Sequence, residues 1–197
     1  MLARRRCRDR LQQGTTMLEV LVTIVILAFG MLGLAGLQSK IFIAEMESYQ
    51  RAQAVLLLND MVERINANRS VAATYVLGAN TLGTGDTQPA DCSGTAAGVA
   101  RDKCEWSNAL KGTAETSSGG TKVGGVIGAL GCVTQIQAED ATVGLCRPGI
   151  YMVTVAWQGL NPTSIPSAGC GAGSFGSDDR LRRALSARVS IGLPTCQ

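Results

Sequence analysis

Between Thr15 and Leu37 the chain reads TTMLEVLVTIVILAFGMLGLAGL, an apolar run with one ionisable side chain, Glu19. At a helical rise of about 1.5 Å per residue this run is long enough to cross roughly 30 Å of hydrocarbon. No proline occurs before Pro89 to interrupt a helix. Past Leu37 the pattern turns amphipathic. Ala52, Val55, Leu58, Val62 and Ile65 recur at three- or four-residue steps, while Arg51, Asp60, Glu63 and Arg64 take other faces. The spacing predicts one helix from about Thr15 to about Asn68, with a membrane-spanning half over 15–37 and an amphipathic half over 38–68. Gly30, Gly33 and Gly36 are its weak points, each costing about 1 kcal/mol relative to alanine in water and less in lipid. A close helix contact and a local softening both account for them.

Charge orients this helix. Arg4, Arg5, Arg6, Arg8 and Arg10 precede it, with only Asp9 opposing them. Such a cluster holds the N-terminus in the cytoplasm and sends the chain beyond Leu37 across the membrane. These residues also account for the net charge of +3: beyond Gly14, 13 of the 18 basic and 14 of the 15 acidic side chains remain. A near-neutral remainder gives no support to a nucleic-acid partner. Cys7 lies in the basic leader, and the other six cysteines, Cys92, Cys104, Cys132, Cys146, Cys170 and Cys196, fall on the translocated side. An even number in an oxidising compartment predicts three disulfides, and six cysteines permit 15 pairings. The expected pairs are sequential neighbours: Cys92 with Cys104, Cys132 with Cys146, Cys170 with Cys196. With no histidine and no paired CxxC, neither a metal site nor a cofactor is expected.

The rest, 69–197, reads as a globular domain. From Gly78 to Gly131 it is rich in Gly, Thr, Ser and Ala with little periodicity, the composition of a long loop-rich region. Strand signals come after it. In IYMVTVAW, Ile150 to Trp157, residues Tyr151, Val153, Val155 and Trp157 share one face. Cys132 to Gln137 is a candidate hairpin partner, and Leu185, Ala187, Val189, Ile191 and Leu193 alternate with smaller or polar residues in a terminal strand. The fold class predicted is α+β: a long N-terminal helix packed on a small antiparallel sheet with disulfides.

Glu19 has two readings. In one it lies in the headgroup region, favoured by the partial positive charge of a helix N-terminus. In the other the chain is cut after Gly14, so that Thr15 bears a free amine and Glu19 is the fifth residue of the mature chain. An amine and a carboxylate one turn apart on staggered copies of the helix neutralise each other and set the stagger. A basic leader ending in glycine, a fifth-position Glu and an uninterrupted apolar helix together resemble the class III signal of type IV prepilins. The tract GTTMLEVLVTIVILAFGMLGLAGLQ is similar to minor pilins of the type IV pilus modification protein PilV type, and Val153, Val155 and Trp157 resemble a strand of that family's domain. The resemblance implies a leader over 1–14, cleavage between Gly14 and Thr15 by prepilin peptidase, and N-methylation of Thr15. Thr15 itself departs from the large apolar residue usual there. It further implies an inner-membrane pass before incorporation into an extracellular pilus, with other minor pilins, the major pilin and a tip adhesin as partners, and a role in adhesion and twitching motility.

Rival readings make different demands. A minor pseudopilin of a type II secretion system shares the N-terminal signal. A DNA-uptake pilin would want a basic surface, for which Arg180, Arg182, Arg183 and Arg188 are the candidates, although three of them precede or enter a strand and are expected to solvate its edge. A membrane-anchored enzyme would have to work without histidine, which removes Ser-His-Asp and Cys-His chemistry. The acidic pairs Glu139/Asp140 and Asp178/Asp179 are expected to be solvated turn residues, a calcium loop at the latter being the alternative. Ordinary signal peptidase, cutting at Gly33-Leu34-Ala35, is the competing processing route. N-terminal sequencing of the mature protein separates the routes: Thr15 as first residue is the expected result, and Gly36 would overturn it.

Overall fold

In the computed structural model, which describes residues 16–112 and 126–193, the apolar run and the amphipathic stretch after it form one helix, α1, Met17–Ala67. The chain divides into two units, Met1–Ala44 and Glu45–Gln197. In the first unit every described side chain from 16 to 42 is exposed. This is also the part of α1 long and apolar enough to cross a membrane.

The second unit begins with the remainder of α1, whose buried residues Gln50, Ala54, Leu58, Met61 and Ile65 keep a helical period. A 3₁₀ helix, Arg69–Tyr75, comes next, then β1 (Leu82–Gly83), α2 (Val99–Leu110), β2 (Leu130–Gln137), β3 (Gly149–Gln158) and β4 (Arg182–Ile191). The four strands form an antiparallel sheet in the order β1-β2-β3-β4. The predicted α+β architecture, a long helix packed on a small antiparallel sheet, is the one observed.

The period-2 alternation of β3 explains the core. Tyr151, Val153, Val155 and Trp157 turn inward and meet Ala54, Leu58, Met61 and Ile65 of α1, together with Val133 of β2 and Val189 and Ile191 of β4. Each such aliphatic side chain, once buried, contributes about 1.5 to 3 kcal/mol. The opposite face is not bare. Ala156 joins Leu130, Cys132, Cys170 and Phe175 in a second, smaller cluster under the chain that leads to β4.

The region 78–131 differs from its loop-rich expectation, because α2 lies within it. The helix buries Cys104, Trp106, Ser107, Asn108 and Leu110, a face of mixed polarity that leaves little hydrophobic period to read. Trp106 is the anchor: fully buried, it donates from Nε1 to the Leu57 carbonyl of α1 at 2.8 Å. The ring needs a gap in the sheet, which Gly131 supplies. A Cβ there would stand 2.5 Å from Trp106 Cζ3 and 2.7 Å from Leu110 Cδ1. Gly131→Ala is therefore expected to displace Trp106 and destabilise the domain by about 1 to 3 kcal/mol. Urea unfolding followed by tryptophan fluorescence checks both effects, the second through a changed native emission.

Candidate assembly site

The exposed half of α1 begins with a cap. Thr16 Oγ1 accepts the Glu19 backbone N–H at 3.3 Å, and the Thr16 carbonyl accepts the Val20 N–H at 3.2 Å. Thr16 and Glu19 thus stand in the spacing of a capping box, Thr-x-x-Glu, a signal present in the sequence that the pairing logic of Glu19 passes over. The carboxylate sits in the first turn, where helix N–H groups lack intrahelical acceptors and negative charge is favoured. Between Thr16 and Lys40 no other side chain ionises. Gly14, Thr15 and the leader lie outside the described residues. Along the same segment nothing lies within 4 Å of the Cβ positions of Gly30, Gly33 and Gly36, so packing within the chain does not require those glycines.

Three charged anchors, centred on Glu47, Arg64 and Asp86, hold the Glu45–Gln197 unit together. Glu47 on α1 accepts from the Leu160 and Asn161 N–H groups, each at 3.2 Å, and from Arg183 Nη2 at 3.1 Å, tying α1 to β4 and to the loop before it. Arg64 reaches three acids: Asp60 at 3.0 Å on its own helix, and Asp102 at 3.0 Å and Glu105 at 2.7 Å on α2. Asp102 also accepts from Asn68 Nδ2 at 3.1 Å and, in a short bond, from the Tyr75 hydroxyl. Burial raises the Tyr75 phenol well above its ordinary value, and the charge of Asp102 raises it further. Burial works against the Arg64 guanidinium, yet the surrounding acids outweigh it and hold the charge more firmly than usual. The third anchor is Asp86, which accepts from Gly83 N–H at 2.9 Å, Gln88 N–H at 3.1 Å and Ser107 Oγ at 2.6 Å and pairs with Lys111.

Of the sequential cysteine pairings, one is present and two are not. Cys92 bridges Cys104, closing the loop that enters α2, with Cα atoms 5.9 Å apart. Cys132 bridges Cys170 instead of Cys146, with Cα atoms 5.8 Å apart. The hairpin register explains the correction. Cys132 stands opposite Thr154, while Cys146 lies beyond the other end of the ladder, past Gln137↔Ile150. At about 3.3 Å per strand residue that separation exceeds the reach of roughly 7 Å between bridged Cα atoms. Cys146 is itself disulfide-bonded. Cys196 lies outside the described residues.

Residues 9–35 match the prokaryotic N-terminal methylation motif, and residues 36–117 match the family described as type IV pilin Tt1218. Over residues 36–117 the chain is thus similar to a type IV pilin domain. The motif ends where the domain match begins, inside α1, and the domain match continues through α2. No match was found among curated proteins or among solved structures. The N-terminal methylation motif implies processing by prepilin peptidase, and the motif with the apolar helix points to membrane anchoring and to assembly with pilins. Similarity to a structural family over residues 36–117 points to a structural protein.

The arginine cluster at 180–188 is a solvated edge only in part. Arg182 is 3% exposed: it donates to the carbonyls of Ala168, Cys170 and Pro166 and pairs with Asp179 at 3.2 Å. Arg183 is held by Glu47, the Asn161 carbonyl and Thr163 Oγ1. Arg180 and Arg188 remain exposed. Asp179 takes a left-handed φ of 55° and accepts the Gly173 N–H at 2.8 Å, so its carboxylate organises the loop that Arg182 fills. Asp140 accepts the Thr142 N–H at 3.0 Å and pairs its backbone with Arg147 at the hairpin tip. Among the described residues no group of three or more acids or cysteines is arranged to hold a metal ion.

The Asp86 anchor has a pH signature. Burial pushes its carboxyl up, but the Lys111 ammonium, the Ser107 hydroxyl and the two backbone N–H groups outweigh burial and hold it below the ordinary value. A depressed native pKa contributes stability above the unfolded value of about 4, and that contribution is lost as pH falls through the native value. Asp86→Asn is expected to lower thermal stability at pH 7 and to flatten the acid limb below about pH 4. Tm measured from pH 2 to 8 for both proteins checks this, an unchanged acid limb being the contrary result.

Proposed function

We propose that this pilin is a minor subunit of a type IV pilus, of the PilV type, that helps prime assembly at the filament tip. The spacing from Gly14 to Glu19 at the head of an apolar helix with exposed side chains supports this reading most directly. Prepilin peptidase cuts after Gly14 and methylates the new amine of Thr15. The chain waits as a single pass in the inner membrane, N-terminus cytoplasmic and domain periplasmic. An unpaired charge near the bilayer centre costs roughly 2.5 to 3.5 kcal/mol on insertion scales, and less toward the end of the span, where Glu19 sits. On entering the filament, Glu19 meets the amine of an adjoining pilin, and neutralisation within an apolar contact fixes the axial stagger. Neighbouring helices replace lipid around α1, and the disulfide-stapled domain faces out. The major pilin, other minor pilins and a tip adhesin are the partners on this reading, and adhesion and twitching are the outputs.

Glu19→Gln separates processing from assembly. The variant is expected to lose its leader normally, since the cut lies five residues away, and to be absent from sheared pili while accumulating in the inner membrane. Immunoblots of both fractions read this. Incorporation at the wild-type level would remove the register role, and normal piliation, adhesion and twitching after deletion of the gene would remove the minor-pilin reading.

A further inference from the structure

The sheet has two unlike edges. On one side β1 is two residues long and lies against α2, so little of it is offered to another chain. On the other side β4 runs ten residues, paired to β3 without a bulge from Arg182↔Gln158 to Ile191↔Gly149, and it contains no proline. In an antiparallel pair every second residue turns its N–H and C=O away from its partner. No backbone hydrogen bond beyond the β3 ladder reaches Arg183–Ile191 among the described residues. About half the main-chain groups of β4 therefore face outward in a continuous row.

The side chains say what would fit there. Leu185 and Ala187 pack on the core only in part, so a strand laid alongside would cover apolar surface now half open. Ser186, Arg188 and Ser190 are exposed on the other face. From Arg180 to Leu193 there are four arginines and no acid. Arg182 and Arg183 are engaged within the domain, whereas Arg180 and Arg188 enter no ion pair among the described residues. A second copy would bring the same arginines to the edge, and like charges on adjacent strands are destabilising. Charges of one sign on an edge are a common means of rejecting a protein's own edge.

We infer that the outer edge of β4 docks an extended, acidic segment of a different polypeptide, which joins the sheet as a fifth strand. Main-chain pairing supplies affinity, and acidic side chains opposite Arg188 and Arg180 supply selectivity. This stands on the strand edge and does not depend on the minor-pilin reading.

The test uses the full chain in detergent micelles and three ten-residue peptides: alternating Val and Thr with two Glu on the polar face, the same peptide with Lys for Glu, and the chain's own 182–191 sequence. The acidic peptide is expected to slow amide exchange across β4 and to bind at least tenfold more tightly than either other peptide. Arg188→Glu, with an unchanged circular dichroism spectrum, should reverse the preference between the Glu and Lys peptides. N-methylation of one alternate set of amides in the acidic peptide should abolish binding, while methylation of the other set should not. Equal binding of the Glu and Lys peptides, absence of protection in β4, or indifference to both methylations would each overturn the proposal. Preference for the chain's own sequence would overturn it in favour of a second copy.

Discussion

A helix satisfies its own backbone, and everything about this chain depends on α1 doing so without interruption from Met17 to Ala67. Because each N–H finds its carbonyl four residues back, the element needs no water and no neighbour for its main chain. Its side chains are then free to differ along its length: mostly apolar and exposed from Met17 to Phe42, amphipathic and partly buried within the second unit. The groups that a helix cannot satisfy lie at its ends. At the N-terminal end Thr16 supplies one acceptor, and Glu19 sets its charge in the turn that favours it.

The domain uses the other half of α1 as one wall of its core, but apolar packing does not by itself set where the remaining pieces attach. Glu47, Arg64 and Asp86 are each polar hubs with three or more partners, and each joins segments distant in sequence. Such hubs contribute little net energy beyond their desolvation, yet a misplaced segment would leave several charges unpaired at once. The bridges Cys92–Cys104 and Cys132–Cys170 act in the same places, one at the approach to α2 and one between β2 and the loop filled by Arg182. A small domain with glycine-rich connections gains from both, since its core alone is modest.

One consequence is an asymmetric sheet. The β1 side is closed by α2, which Trp106 locks onto α1 through the gap at Gly131. The β4 side has no such cover among the described residues, and its buried Arg182 binds three carbonyls of the loop before the strand. The type IV pilin match extends to residue 117, so β2, β3 and β4 lie beyond it. The part of the domain that the match does not reach is thus the part with a long open edge.

Periodicity alone determined α1, β3 and β4, because a run with one acid in 23 residues, or a strict alternation such as Tyr151, Val153, Val155, Trp157, has one low-energy way to bury or expose its side chains. The spacing of Gly14 and Glu19 likewise carried the prepilin character, since it depends on covalent order and not on contacts. Tertiary structure decided the rest. Helix α2 buries Ser107 and Asn108, residues a pattern of hydrophobicity counts as outside, and they are acceptable inside only because Asp86 and the Pro89 and Ala90 carbonyls meet them. Cys132 found Cys170 and not Cys146 because strand register, not distance along the chain, sets which cysteines are neighbours. Arg182 went inside because three carbonyls and one carboxylate converge there, a coincidence of loops that no local pattern encodes.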